Sequence, residues 1–149
     1  MKSQIVADAD AVTYVVVCDP DDEAVSVLTD FARAEDLEAS QITGIGGFER
    51  ATLGWFDRSR KEHIPIPVEE QCEVLSLIGD VAEGPDGNPS LNIHVVLGLA
   101  DGTTRGGHLI AGYVFPTLEL TVTESPAELR KVFNADIGAA LIDLDRSDT

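Results

Sequence analysis

Alternating and β-branched segments dominate the chain, and a helical spacing interrupts them near the start. The stretch "AVTYVVVCD", residues 11–19, is β-branched and aromatic and ends at Asp19-Pro20, where Asp can cap a helix and Pro suits its first turn. From Asp21 to about Glu35, Ala24, Val27, Leu28, Phe31 and Ala32 recur at helical spacing behind a run of acids that favours the helix dipole, which predicts an amphipathic helix. Beyond it come "ASQITGIGGFERATLGWFD", "KEHIPIPVEE", "CEVLSLIGDVAE", "LNIHVVLGLA" and "PTLELTVTES", each with strand character and separated by turns such as 84–89 and Asp101-Gly102. Consecutive strands without intervening helices predict a mainly antiparallel meander or barrel-like sheet, an α/β chain of the α+β type flanked by a few helices, and not a doubly wound fold. Ser125-Pro126 then opens a predicted short helix, "PAELRKVF", and "IGAALIDL" fits either a strand or a helix.

Composition adds bounds. With 149 residues and no internal repeat or linker, the chain is expected to form one domain over 1–149. No run approaches the roughly 18 to 20 apolar residues that span a bilayer, and Asp8 and Asp10 interrupt the N-terminal segment where a signal peptide needs an unbroken apolar core, so a cytoplasmic, membrane-free protein is expected. Cys18 and Cys72 lack CxxC spacing and read as two reduced, partly buried thiols. A formal charge of −17 with only three lysines would suit a high-salt cytoplasm, and it repels phosphate backbones and anionic lipid; the densest basic group, Arg58, Arg60 and Lys61, falls in a predicted turn beside Glu62.

Candidate chemistry is sparse. "GIGG", 44–47, lacks the spacing of a dinucleotide fingerprint and reads as glycines admitting a bulge or a close approach within a sheet, and Trp55 reads as a core or interface anchor. Alternation on the strand around His94 puts Asn92, His94 and Val96 on one face and Ile93, Val95 and Leu97 on the other. The turn at Asp101-Gly102 can bring Gly106-Gly107-His108 back toward the first face, the paired glycines permitting close approach. Imidazole suits zinc, but a catalytic zinc usually takes three protein ligands, and this pattern supplies two; from spacing alone, unrelated histidines and a metal pair both stay open. His63, in a proline-broken, edge-like segment, receives no role. Glu119 could face the same pocket with Arg105 as partner, or could be an ordinary surface carboxylate. No GxSxG elbow, HExxH helix or partnered nucleophilic cysteine occurs.

The series "ITGIGGFERATLGWFD", "CEVLSLIGD", "LNIHVVLGLADGTTRGGHLIAG" and "VFPTLELTVTE", from about Ala11 to Ser125, resembles the plant and prokaryote conserved (PPC) domain, also called domain of unknown function 296. The resemblance implies a protomer similar in architecture to acetolactate decarboxylase, assembled as a homotrimer. It also implies candidate metal ligands, zinc in the decarboxylase, from a His-x-His strand and the Gly-Gly-His histidine. Here His94 and His108 match, whereas the first histidine of the pair is Asn92. Plant members contact partner proteins through Gly-Arg-Phe-Glu-Ile-Leu; the matching positions Glu70 to Leu75 lack the Gly-Arg part, and no Gly-Arg-Pro AT-hook core is present. The expected protein is thus a homotrimeric binding or assembly module with a ligand site near His94 and His108, with Asn92, Arg105, Gly106, Gly107 and Glu119 as pocket candidates. The alternatives are a metal-dependent enzyme and a DNA-binding or regulatory protein, nucleic acid being unfavourable without the hook.

Overall fold

The computed structural model describes residues 1–8 and 11–147, apart from the side chains of 2–8. Its strands are β1 (Lys2–Asp8), β2 (Val12–Cys18), β3 (Ala39–Asp57), β4 (Glu62–Val68), β5 (Cys72–Glu83), β6 (Pro89–Gly98), β7 (Thr104–Glu124), β8 (Lys131–Asn134) and β9 (Ala139–Ile142), with helix α1 at Ala24–Ala34. Seven strands form an antiparallel sheet in the order β1-β2-β7-β6-β5-β3-β4. Because β3 also pairs with β7, strands β3, β5, β6 and β7 close into a ring. The sheet curls without an intervening helix, as the run of strands requires.

Two long strands make the closure possible. The first half of β7 lies between β6 and the second half of β3, while its second half lies between β2 and the first half of β3. Gly46 and Gly47 permit this crossing, since a Cβ on either would sit 2.2 Å from the Thr117 carbonyl oxygen and 2.4 Å from that of Phe115. Inside the ring, Phe48, Leu53, Leu77, Ile93, Leu97, Leu109, Leu118 and Leu120 are fully buried. Helix α1 closes the core from one side with Ala24, Leu28, Phe31 and Ala32, and Phe31 meets Tyr14 edge-on at 5.3 Å.

The helix starts later than the acids suggest. Glu23, not Asp19, is its N-cap: its carboxylate accepts from the backbone N–H groups of Val25 and Ser26. The expected helix over "PAELRKVF" is not formed. The Leu129 N–H donates to Glu38, its carbonyl accepts from Glu83, and Lys131 is drawn inward, so the backbone bonds that a helix would need are made with other segments and β8 results. "IGAALIDL" becomes β9, hydrogen-bonded to β8, followed by a 3-10 turn at Leu144–Arg146. Trp55 is 68% exposed, so it is no part of the core. Both cysteines are free and buried, and burial pushes the Cys18 thiol up to about 11, which makes it a poor nucleophile at neutral pH. Among the described residues no helix is long and apolar enough to cross a membrane.

Candidate functional site

Strand β6 follows its sequence pattern: Ile93, Val95 and Leu97 face the core, and Asn92, His94 and Val96 are exposed on the opposite face. The antiparallel return after Asp101-Gly102 places His108 directly across from His94, with the two rings edge-to-face at 5.3 Å. Gly106 pairs with Val96 on this outer face, and Gly107 pairs with Val95 on the inner one. A Cβ on Gly107 would lie 2.8 Å from the Gly54 carbonyl oxygen, so its glycine lets β7 approach β3 at this point.

A third imidazole joins them. His63 on β4 stacks on His108 at 4.4 Å between centroids, with the planes 19° apart. It does so across β3, where Gly54 has no side chain; a Cβ there would be 3.0 to 3.2 Å from His63 ring and Cβ atoms. The β3–β4 hairpin supplied the missing signal. A tight turn pairing Asp57 with Glu62 sets His63 opposite Phe56 and on the face of Gly54, next to the strand that carries His108.

Sequence reasoning also missed a charged pair at this site. Lys131, only 6% exposed, directs its Nζ to Asp80 Oδ1 at 2.6 Å and donates to the Ser90 carbonyl at 2.8 Å. Asn92 stands directly opposite Asp80 and its Nδ2 donates to Asp80 Oδ2 at 3.4 Å. A shallow cavity of about 430 Å³ is lined by Gln41, Thr43, Ile78, Asp80, Asn92 and His94.

The other two pocket candidates lie elsewhere. Arg105 pairs with Leu97, hence on the face opposite His94, and its guanidinium reaches the Pro67 carbonyl at 3.4 Å. Glu119 shares the outer face but sits between Val17 and Ile45, where it is an exposed carboxylate beside Leu75. The pairing of Glu119 with Arg105 is therefore not made; alternation and register separate them.

Burial, reinforced by the neighbouring His63, His94 and Lys131, lowers the His108 pKa to about 4, and its Nδ1 is buried without a hydrogen-bond partner. In an unfolded chain this histidine would titrate near 6.5. As pH falls from 6.5 toward 4 the unfolded state takes up the proton first, so stability is full above the upper value and declines through this window. The urea midpoint should fall between pH 7.5 and 5 in the wild type, and His108→Asn should flatten that dependence; parallel curves would remove His108 as its source.

The donor chemistry of three imidazoles suits zinc, but their placement does not. The rings run in a row, His63 on one side of His108 and His94 on the other, rather than around a point. Among the described residues no group of three or more His, Cys, Asp or Glu side chains is placed to hold a metal ion. Position 92 offers an amide already turned to Asp80, and the Lys131 ammonium lies close enough to depress His108. As arranged, the site does not fit the zinc that the resemblance implies.

Comparison with known proteins settles the lineage. The family described as the Plants and Prokaryotes Conserved (PCC) domain matches residues 7–126. The chain belongs to this family. A plant- and prokaryote-conserved protein of Pyrococcus horikoshii has 32% sequence identity and superposes with a TM-score of 0.83 over 88% of this chain and 90% of its own. A metal-containing protein of Archaeoglobus fulgidus, 27% identical, gives 0.82 over 95% and 96%, and a Ralstonia eutropha protein described as a candidate DNA-binding protein, 29% identical, gives 0.81 over 88% and 90%. Two Synechococcus proteins named bifunctional protein GlmU are 32% and 31% identical over 97 residues; that stretch is 64% of this PCC chain, which spans 14% of their length.

Proposed function

We propose that this PCC-domain protein acts as a homotrimeric binding module, with a small-ligand site around His94 and His108. The observation that carries the reading is the outer face of the sheet. Val15, Ile45, Leu75, Ile78 and Val96 are 36% to 63% exposed and lie on adjoining strands of that face, separated by Thr43, Ser76 and Thr121, with Glu119 among them and Glu73 beside Ile45 and Leu75 as the carboxylates that line it. In a chain of net charge −17 an apolar area so poor in charge is where copies can meet with little mutual repulsion. The row continues directly from Ile78 to His94 and His108, so assembly would wall one flank of the ligand site. Light scattering of the purified chain at micromolar concentration should give the mass of three protomers; a stable monomer would overturn the reading.

Two other readings have support from single relatives. The metal-containing Archaeoglobus protein favours a metal-dependent enzyme built on His94 and His108, and the name of the Ralstonia protein favours DNA binding. Duplex DNA carries one charge per about 1.7 Å, and a protomer of charge −17 has few counterions to release from it. A gel shift on random-sequence duplex at about 50 mM salt should show no complex up to about 10 μM protein, below the weaker part of the usual non-specific range. A tight complex would move DNA binding ahead.

A further inference from the structure

We propose that the outer edge of β9, with the apolar cleft beside it, is a docking site for an extended partner segment that alternates apolar and basic residues. The surface lies within residues 131–145, past the stretch 7–126 that matches the PCC family, and it does not depend on the assembly reading. Strand β9 pairs with β8 on one side and, among the described residues, with no strand on the other. The Asp143 N–H donates to the Arg130 carbonyl, and in an antiparallel pair such bonds fall on alternate residues. Ala139 and Leu141 therefore bond inward to β8, while the peptide groups of Ala140 and Ile142 face outward. Proline and charge, which commonly close an edge to an added strand, are both missing from Ala139, Ala140, Leu141 and Ile142.

The hairpin is held at both ends. Lys131 Nζ donates to the Ser90 carbonyl at its base and Lys61 Nζ to the Ala135 carbonyl at its turn, each at 2.8 Å, so the edge is set before a partner arrives. Phe133, Leu141, Ile142 and Leu144 are 40% to 71% exposed and border a cleft of about 510 Å³. Charge selects the occupant. Asp136, Asp143 and Asp145 line this cleft without a lysine or arginine beside them in its wall. Arg146 answers Asp143 at 3.9 Å, whereas Asp136 and Asp145 have no ion pair among the described residues. A second copy of this chain, itself at −17, would bring like charges together here. Basic side chains at alternate positions of an added strand would meet the carboxylates while their apolar neighbours fill the cleft.

The test is the binding of a short dye-labelled peptide alternating lysine and valine, read by fluorescence anisotropy, in wild type, Ala140→Pro and the double variant Asp136→Asn with Asp145→Asn. Ala140→Pro deletes an N–H that faces away from β8, so the hairpin ladder is kept. The asparagine variant leaves the backbone edge untouched and tests the site even where proline disturbs the hairpin. Circular dichroism and light scattering on the same samples report fold and assembly separately. Wild type should take up one peptide per protomer, and each folded variant should bind it at least about 10-fold more weakly. A lysine–serine peptide of equal charge should also bind wild type at least about 10-fold more weakly, which separates docking from general attraction to an acidic chain. Equal binding of the two peptides, or no loss in the folded variants, would overturn the proposal. Assembly that disappears with Ala140→Pro would overturn it too, by making a second copy the occupant of the edge.

Discussion

Replacing Ile78 by Arg should reduce the proposed homotrimer to monomers of 15.9 kDa without unfolding them. Ile78 is 57% exposed in the single chain, between Thr43 on β3 and His94 on β6, where the apolar outer face meets the histidines. In an isolated protomer an arginine there lies in water, so the thermal unfolding of the monomer should change by no more than about 0.5 kcal/mol. Against two further copies the guanidinium would be buried without a partner, a cost of several kcal/mol per contact that no surface rearrangement offsets. Light scattering across a concentration series would read the result. Ile78→Val should leave the mass unchanged, and an Arg variant that still assembles would place the subunit contact elsewhere.

Phe48→Ala should destabilise the protein by about 3–5 kcal/mol, the range for deleting a fully buried aromatic ring. Phe48 is 0% exposed and sits where β3 pairs with both β5 and β7, opposite Cys72 and Val114. Its ring fills the space left by Gly112, where a Cβ would be 2.7 to 2.9 Å from the ring carbons. The ring of strands cannot collapse onto the vacancy without breaking ladder hydrogen bonds on both sides, so the cavity should persist. Urea unfolding at fixed protein concentration would measure the loss. A change below about 1 kcal/mol would mean that the ring relaxes, contrary to the close packing seen at Gly112.

What the sequence disclosed depended on whether the information was local. A period of two placed Asn92 and His94 on one face, and the turn around Asp101-Gly102 aimed His108 back at it; both features are visible in β6 and β7. Helix α1 was legible from its spacing, although its cap was misplaced by the acids that precede Glu23. His63 was not legible, because its role depends on hairpin register and on an absent side chain at Gly54, and neither has a periodicity of its own. Lys131 lies in a segment with helical spacing whose backbone groups are taken by Glu38 and Glu83, so tertiary bonds override propensity. The length of β7 was hidden by Pro116, which divides the segment on paper but lies within the continuous strand Thr104–Glu124.

Strand β4 borders solvent at one end of the seven-stranded sheet, and two of its seven residues are prolines. Its pairing with β3 runs unbroken from Ala51–Val68 to Asp57–Glu62, so the donors that Pro65 and Pro67 lack are the ones that would point away from the sheet. A foreign strand arriving at this border would find carbonyls but an interrupted row of N–H groups, and could not zip along it. The same proline pair that makes the segment look irregular therefore guards the histidine-bearing border against fibrillar growth.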